Sequence, residues 1–124
     1  MRRYTRDHAW VEADGNRARI GLSDFAQSEL GEIAYVDLPE PGRRVRQGEV
    51  VCTVESLKSS SEVYAPVSGR IVEVNAALQS EQNASLVNRD PLGEGWLLVL
   101  EMEDPAELTP LLVEDEYAAY TGGA

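Results

Sequence analysis

The chain has 124 residues, 22 of them acidic and 11 basic, giving a net charge of −11 with 43% hydrophobic residues, which fits one domain over residues 1–124 with a modest core. That charge opposes nucleic-acid binding, which needs cations to neutralise phosphates; it suits a soluble monomer that meets several partners and leaves each, and it serves solubility equally well. No apolar run is long enough to span a bilayer. Nor does a charged-then-apolar leader follow Met1, so the expected location is cytoplasmic, or mitochondrial if a transit peptide has been removed.

In chain order, residues 7–12 read as an opening strand closed by the turn signal Asp14-Gly15-Asn16. Arg17 to Leu22 alternates charged and apolar residues and reads as the returning strand. Ser23 or Asp24 offers a cap for a short helix through Leu30, in which Phe25, Ala26 and Leu30 make an apolar face and which Gly31 ends. A strand over 32–38, with Val36 and Leu38 on one face, is broken by Pro39-Glu40-Pro41-Gly42.

Val50, Cys52 and Val54 then alternate with Val51, Thr53 and Glu55, the period-2 signature of a strand, and a second extended run starts at Val63. A hairpin read this way lifts Lys58 to its tip, among small serines and between Glu55 and Glu62. A turn over 66–69 leads to a strand at 70–74. Residues 75–88 read as a polar loop with at most a helical turn at 76–78. Residues 96–102 read as a late, buried strand, and Asp104-Pro105 opens a helix that Pro110 cuts short. Residues 114–120 read as a terminal helix, and 121–124 are expected to fray.

Enzyme readings find little to stand on. His8 is the only histidine and Cys52 the only cysteine. A cysteine inside an alternating apolar run behaves as a small buried hydrophobe rather than as the nucleophile of a Cys–His pair. One histidine and one distant thiolate do not make a metal site. Gly93 and Gly95 lack the Gly-Lys-Ser/Thr of a phosphate loop. Trp10 and Trp96 read as packing residues.

The run Glu55-Ser56-Leu57-Lys58-Ser59-Ser60-Ser61-Glu62, followed by Tyr64-Ala65-Pro66-Val67-Ser68-Gly69 and by residues 86–96, resembles the lipoyl-attachment segment of the glycine cleavage system H proteins. The resemblance runs from Tyr4 to Tyr117. It implies a mostly β barrel-sandwich hybrid of short strands with short flanking helices, and a non-catalytic carrier with lipoate in amide linkage on Lys58. It implies further that Glu55, Glu62 and Gly42, the last on a facing turn, help a lipoylating enzyme recognise the hairpin. A biotin carrier would usually place methionine beside the lysine, where this chain has Leu57 and Ser59.

In the family's cycle a pyridoxal-phosphate glycine decarboxylase loads an aminomethyl group on the arm, an aminomethyltransferase passes the carbon to tetrahydrofolate, and dihydrolipoamide dehydrogenase restores the disulfide. Three departures keep an H-like carrier with another client in view, such as sulfur-compound oxidation with a heterodisulfide-reductase-like complex or lipoate relay. Ala9 stands where the family usually has a glutamate near the cleft that shelters the loaded arm. Leu92 replaces a usual tyrosine, and the loop over 75–88 lacks its usual proline. Asp7 and Glu62 are the carboxylates that could replace the missing glutamate.

Overall fold

The computed structural model describes residues 2–122. Two antiparallel sheets face each other. The larger holds β1 (Arg2–Tyr4), β2 (Ala9–Asp14), β3 (Arg17–Leu22), β9 (Leu98–Met102), β8 (Gly69–Val74) and β5 (Arg44–Val45), in that spatial order; the smaller holds β4 (Ile33–Asp37), β6 (Val50–Ser56) and β7 (Ser60–Tyr64) with β6 central. Three short helices, α1 (Asp24–Leu30), α2 (Leu86–Arg89) and α3 (Glu114–Tyr120), flank the sheets.

Alternation explains the main core. Ala18, Ile20 and Leu22 of β3, Leu98 and Leu100 of β9, and Ile71 of β8 face Val54, Val63, Ile33 and Val36 of the smaller sheet, all buried. Two bulges adjust the strict period. A register shift in β4 between Ile33 and Tyr35 brings Ile33 and Val36 inward although they are three apart. A second shift between Val50 and Cys52 buries the consecutive Val51 and Cys52, so the simple alternation expected there fails at its first step.

The larger sheet is also covered on its outer side. Trp10 is wholly buried between Ala9 and Val11 and packs with Tyr4, Leu112 and Tyr117 in a second cluster under α3. Its indole donates to the Pro91 carbonyl at 2.9 Å. Gly21 opposite it has no room for a side chain, since a Cβ would sit 2.6 Å from the indole. Trp96, half-buried, packs at the cluster's edge with the Arg19 guanidinium 4.9 Å over its ring.

Several elements differ from the sequence reading. β1 was not expected. It forms because its three residues find the open edge of β2, with Tyr4 tied on its other side to Leu112 through bonds of 2.7 and 2.8 Å. The helical turn expected at 76–78 is present as a 3-10 turn, Ala76–Gln79, but the rest of 75–88 is not a polar loop: a second 3-10 turn, Glu81–Asn83, leads into α2, and Leu78, Ala84 and Val87 enter the core. Asn75 holds that excursion, donating to the carbonyls of Glu94 and Trp96 at 2.9 and 2.8 Å and capping Ala77 N–H. β7 begins at Ser60 rather than at Val63, because Ser60 and Ser61 pair with Glu55 and Val54. The strand expected from Trp96 starts at Leu98, a boundary shift of two residues. Of the tail expected to fray, residues 123–124 lie outside the described residues.

Candidate functional site

β6 ends at Ser56 and β7 begins at Ser60, which leaves only Leu57, Lys58 and Ser59 to turn the hairpin. Ser56 makes this tip firm. Its Oγ accepts from the N–H of Lys58 at 3.2 Å and of Ser59 at 3.0 Å and donates to the Ser59 carbonyl at 3.1 Å. Here a serine hydroxyl replaces the backbone partners that a tight turn leaves unmet. The Leu57 N–H donates to Glu32 O at 3.0 Å, so the tip also leans on the start of β4.

Lys58, the only lysine of the chain, is exposed. The ion pairs among the described residues all belong to arginines, and Lys58 enters none. Glu55 and Glu62 are exposed on the two strands of the same hairpin; Glu62 lies opposite Thr53 and accepts from the Tyr64 hydroxyl at 3.3 Å. Gly42 is elsewhere. Its N–H donates to Ile71 O at 2.6 Å, and the neighbouring Arg43 reaches the Val50 carbonyl at 3.3 Å. That is the end of β6 remote from the tip, roughly 20 Å away for a strand of this length. The structure brings Glu55, Glu62 and Lys58 together and leaves Gly42 out, against the expectation of a turn facing the lysine.

Beside the hairpin, α1 supports the second part of the site. Ser23 caps it by accepting from Ala26 N–H at 3.1 Å, and Gly31 ends it at φ 81°, ψ −156°, a backbone region open almost only to glycine. Asn88 of α2 fixes that end: its Nδ2 donates to Gly31 O at 2.8 Å and to Gln27 Oε1 at 2.9 Å, and its Oδ1 accepts from Ile33 N–H at 2.8 Å. A groove of about 270 Å³ runs along α1, with Phe25 and Leu30 as apolar lining, Asp7, His8 and Glu29 at its sides, and Ser61 of β7 closing it toward the hairpin. Ala9 does not line it. That residue is 1% exposed within the main core, so the position singled out on the sequence opens on apolar packing, and the carboxylates at the groove are those of Asp7 and Glu29.

His8 stands at the rim with φ 71°, unusual for a residue with a side chain. Its N–H donates to Thr5 O at 3.2 Å and its carbonyl accepts from Ser23 N–H at 2.9 Å, which together hold the strained turn. Nδ1 is 2.8 Å from the Tyr117 hydroxyl, itself 2.6 Å from Ser23 Oγ. Tyr117 stacks on Tyr4 at 4.2 Å. Burial raises the Tyr117 phenol pKa, against the lowering effect of the Ser23 bond; burial and then the Glu114 carboxylate raise that of Tyr4. Both phenols stay neutral, and the Tyr117 hydroxyl, bonded to His8 and Ser23, ties α3 to the groove wall.

Cys52 takes no part. It is buried opposite Val63, and burial, with Asp37 adding, pushes its thiol up to about 12. Sequence reasoning found Gly31 only as a helix stop and missed Asn88, Ser56 and the Tyr4–Tyr117 pair. Asn88 stood inside the run over 86–96 that carried the resemblance, and only its role as a clamp across 57 residues was invisible.

An exposed lysine on a stiff turn thus stands beside a groove whose lining is part apolar and part acidic. Comparison with known proteins gives the family. The family described as glycine cleavage H-protein matches residues 2–123. The glycine cleavage system H protein of Thermotoga maritima is 48% identical over 120 residues, covering 97% of this chain and 95% of the relative. That of Brevibacillus brevis is 48% identical over 117 residues, covering 94% and 91%. A crystal structure of a glycine cleavage system H protein from Mycobacterium marinum superposes with a TM-score of 0.86 at 38% identity, covering 98% of this chain and 96% of that one. The chain belongs to the glycine cleavage H-protein family. It is a non-catalytic lipoyl carrier of glycine cleavage, with the other enzymes of that system as its partners. Among the described residues no helix is long and apolar enough to cross a membrane.

Proposed function

We propose that Lys58 is the residue that carries lipoate, joined through its Nζ as an amide. The observation that carries this reading is the position of the chain's only lysine, exposed on a three-residue turn stiffened by Ser56. The donor fits the group: an unpaired primary amine open to an enzyme, with an apolar-lined groove beside it to receive an alkyl chain. When bound, lipoate supplies a dithiolane whose sulfur exchanges by thiolate attack. The chain's own part is presentation and shelter. Phe25 and Leu30 offer apolar contact, while Asp7 and Glu29 offer carboxylates to a protonated amine brought as cargo.

On this reading Glu55 and Glu62 are contacts for the lipoylating enzyme, and Gly42 contributes only if that enzyme reaches along the whole of β6. The partners are then a pyridoxal-phosphate glycine decarboxylase, an aminomethyltransferase and dihydrolipoamide dehydrogenase, met by one monomeric domain in the cytoplasm. Of the clients weighed on the sequence, the comparisons favour glycine cleavage over sulfur oxidation or lipoate relay.

The experiment is peptide mass analysis of protein purified from its own cells, followed by glycine-dependent release of carbon dioxide with cognate enzymes. A lipoyl mass on the 56–62 peptide and brisk turnover are expected. Native protein without that mass would defeat the attachment site. The variant Lys58→Arg should keep the fold, since an exposed tip contributes little to stability, and should lose carrier function entirely.

A further inference from the structure

We infer that Gly31 is a positioning residue for the arm: by lacking a side chain it lets the Lys58 chain lie back across the end of α1, toward the groove. The inference rests on the lipoylation of Lys58 proposed above.

The observation is a contact that the charge and spacing of the hairpin would not suggest. An exposed lysine beside Glu55 and Glu62 could extend into solvent or toward either acid. Instead its methylenes lie over Gly31. A Cβ built at Gly31 would stand 3.3 Å from Lys58 Cε, 3.9 Å from Nζ and 4.0 Å from Cδ. The first distance is tighter than ordinary packing and the other two are ordinary contacts, so a side chain at 31 must move Lys58 Cε by a few tenths of an ångström. Leu30, the neighbour of Gly31, is one of the apolar residues of the groove, and Ser61, three residues beyond Lys58, closes its hairpin end. The bare backbone of Gly31 thus adjoins both the lysine and the groove.

Two further features keep this spot in place. Asn88 holds the Gly31 carbonyl at 2.8 Å, and the Leu57 N–H holds the carbonyl of Glu32 at 3.0 Å. The two sides of the contact, the end of α1 and the hairpin tip, are therefore braced by separate bonds. Amidation removes the charge of Nζ, after which the lysine stem and the arm beyond it gain more from apolar contact than from water. Each methylene returned to water shifts such a docking equilibrium about fourfold. Displacing Cε alone should release the arm by up to about fourfold.

Backbone strain is the rival explanation for any effect of substitution, and the chain contains a control. Gly48 also has positive φ, 89° against 81° at Gly31, but a Cβ there meets nothing within 4 Å. It precedes β6 at the end remote from Lys58. Gly48→Ala controls for positive φ alone, while the ψ of −156° at Gly31 adds strain of its own, so the Tm of both variants is measured and nuclear Overhauser contacts in the lipoylated wild type separate strain from contact.

Wild type and both variants are lipoylated in vitro by a lipoate ligase, and intact mass is checked. The rate of dithiolane reduction by a water-soluble phosphine is then compared with that of a lipoylated peptide spanning residues 54–64. The wild type should react more slowly than the peptide, Gly48→Ala should match the wild type, and Gly31→Ala should react up to about fourfold faster than the wild type. Absence of any mass gain on the wild type would remove the attachment reading itself. With the mass gain present, the positioning role is overturned by an unprotected wild type, by an unchanged Gly31→Ala, or by equal loss in both variants. Should Gly31→Ala fail to fold, nuclear Overhauser contacts in the lipoylated wild type decide. Contacts from arm methylenes to the Gly31 Hα support the role, and contacts confined to residues 57–59 overturn it.

Discussion

Asn88 donates its side-chain amide to the Gly31 carbonyl at 2.8 Å, and the same side chain accepts from the Ile33 N–H at 2.8 Å. One residue of α2 therefore joins the end of α1 to the start of β4, directly behind the hairpin tip that leans on Glu32. Asn88→Ala would orphan a carbonyl and an N–H in a half-buried place, at about 1–3 kcal/mol for a buried group left unmet. We expect a clear fall in Tm and faster amide exchange at Ile33. Asn88→Asp should be milder at Ile33, because the accepting oxygen remains. Equal damage from both variants would show that the acceptor is unimportant.

Glu55 and Glu62 are exposed and join no ion pair among the described residues, so their charges contribute little to folding. Replacing both by glutamine should leave the Tm nearly unchanged and slow lipoylation by a ligase. Gly42→Ala serves as comparison: its position at the far end of β6 leads us to expect a smaller effect on the lipoylation rate than the double replacement. The reverse order would mean that the ligase reads the far turn first.

Asp7 and Glu29 flank the groove, while Ala9 points into the core. An exposed charge pair is worth about 0–1 kcal/mol, so Asp7→Asn should shorten the retention of an amine cargo by at most about fivefold, with little change in stability. Ala9→Glu, which restores the glutamate usual in the family, should lower the Tm, because its carboxylate begins in apolar surroundings and a buried ion costs several kcal/mol. Retention that improves in Ala9→Glu without loss of stability would show that position 9 does open on the groove.

The Cys52 thiol, pushed up to about 12 in the folded chain, ionises near 9.0 once exposed. Above pH 9 the unfolded state gives up a proton that the native state keeps. Stability tied to this group is therefore complete below pH 9 and falls as pH rises toward 12, by about 1.4 kcal/mol per pH unit. Denaturant titrations across this window should show a shallower alkaline decline for Cys52→Ala than for the wild type. The native thiol should also resist alkylation at neutral pH, and rapid labelling of the folded protein would contradict its burial.

Local pattern was enough for much of the scaffold. Alternation from Arg17 to Leu22, the cap at Ser23, the stop at Gly31 and the proline at 105 each act within a few residues, so each was legible and each lies where expected. Lys58 at a hairpin tip was legible for the same reason, and the resemblance of the motif around it carried the family.

What the sequence could not decide were relationships between distant segments. The strand β1 exists only because β2 offers an edge. The polar run over 75–88 folds inward because Leu78, Ala84 and Val87 enter the core and Leu86 packs against it, at a spacing too irregular to show a period. Ala9 and Asp7 are neighbours in sequence, yet one enters the core and the other reaches the groove, a division set by the turn at His8 rather than by residue type. Tertiary packing alone brought Gly31 beneath Lys58. Side-chain chemistry and short-range spacing determined which lysine stands out, and three-dimensional closure determined which surface it lies on.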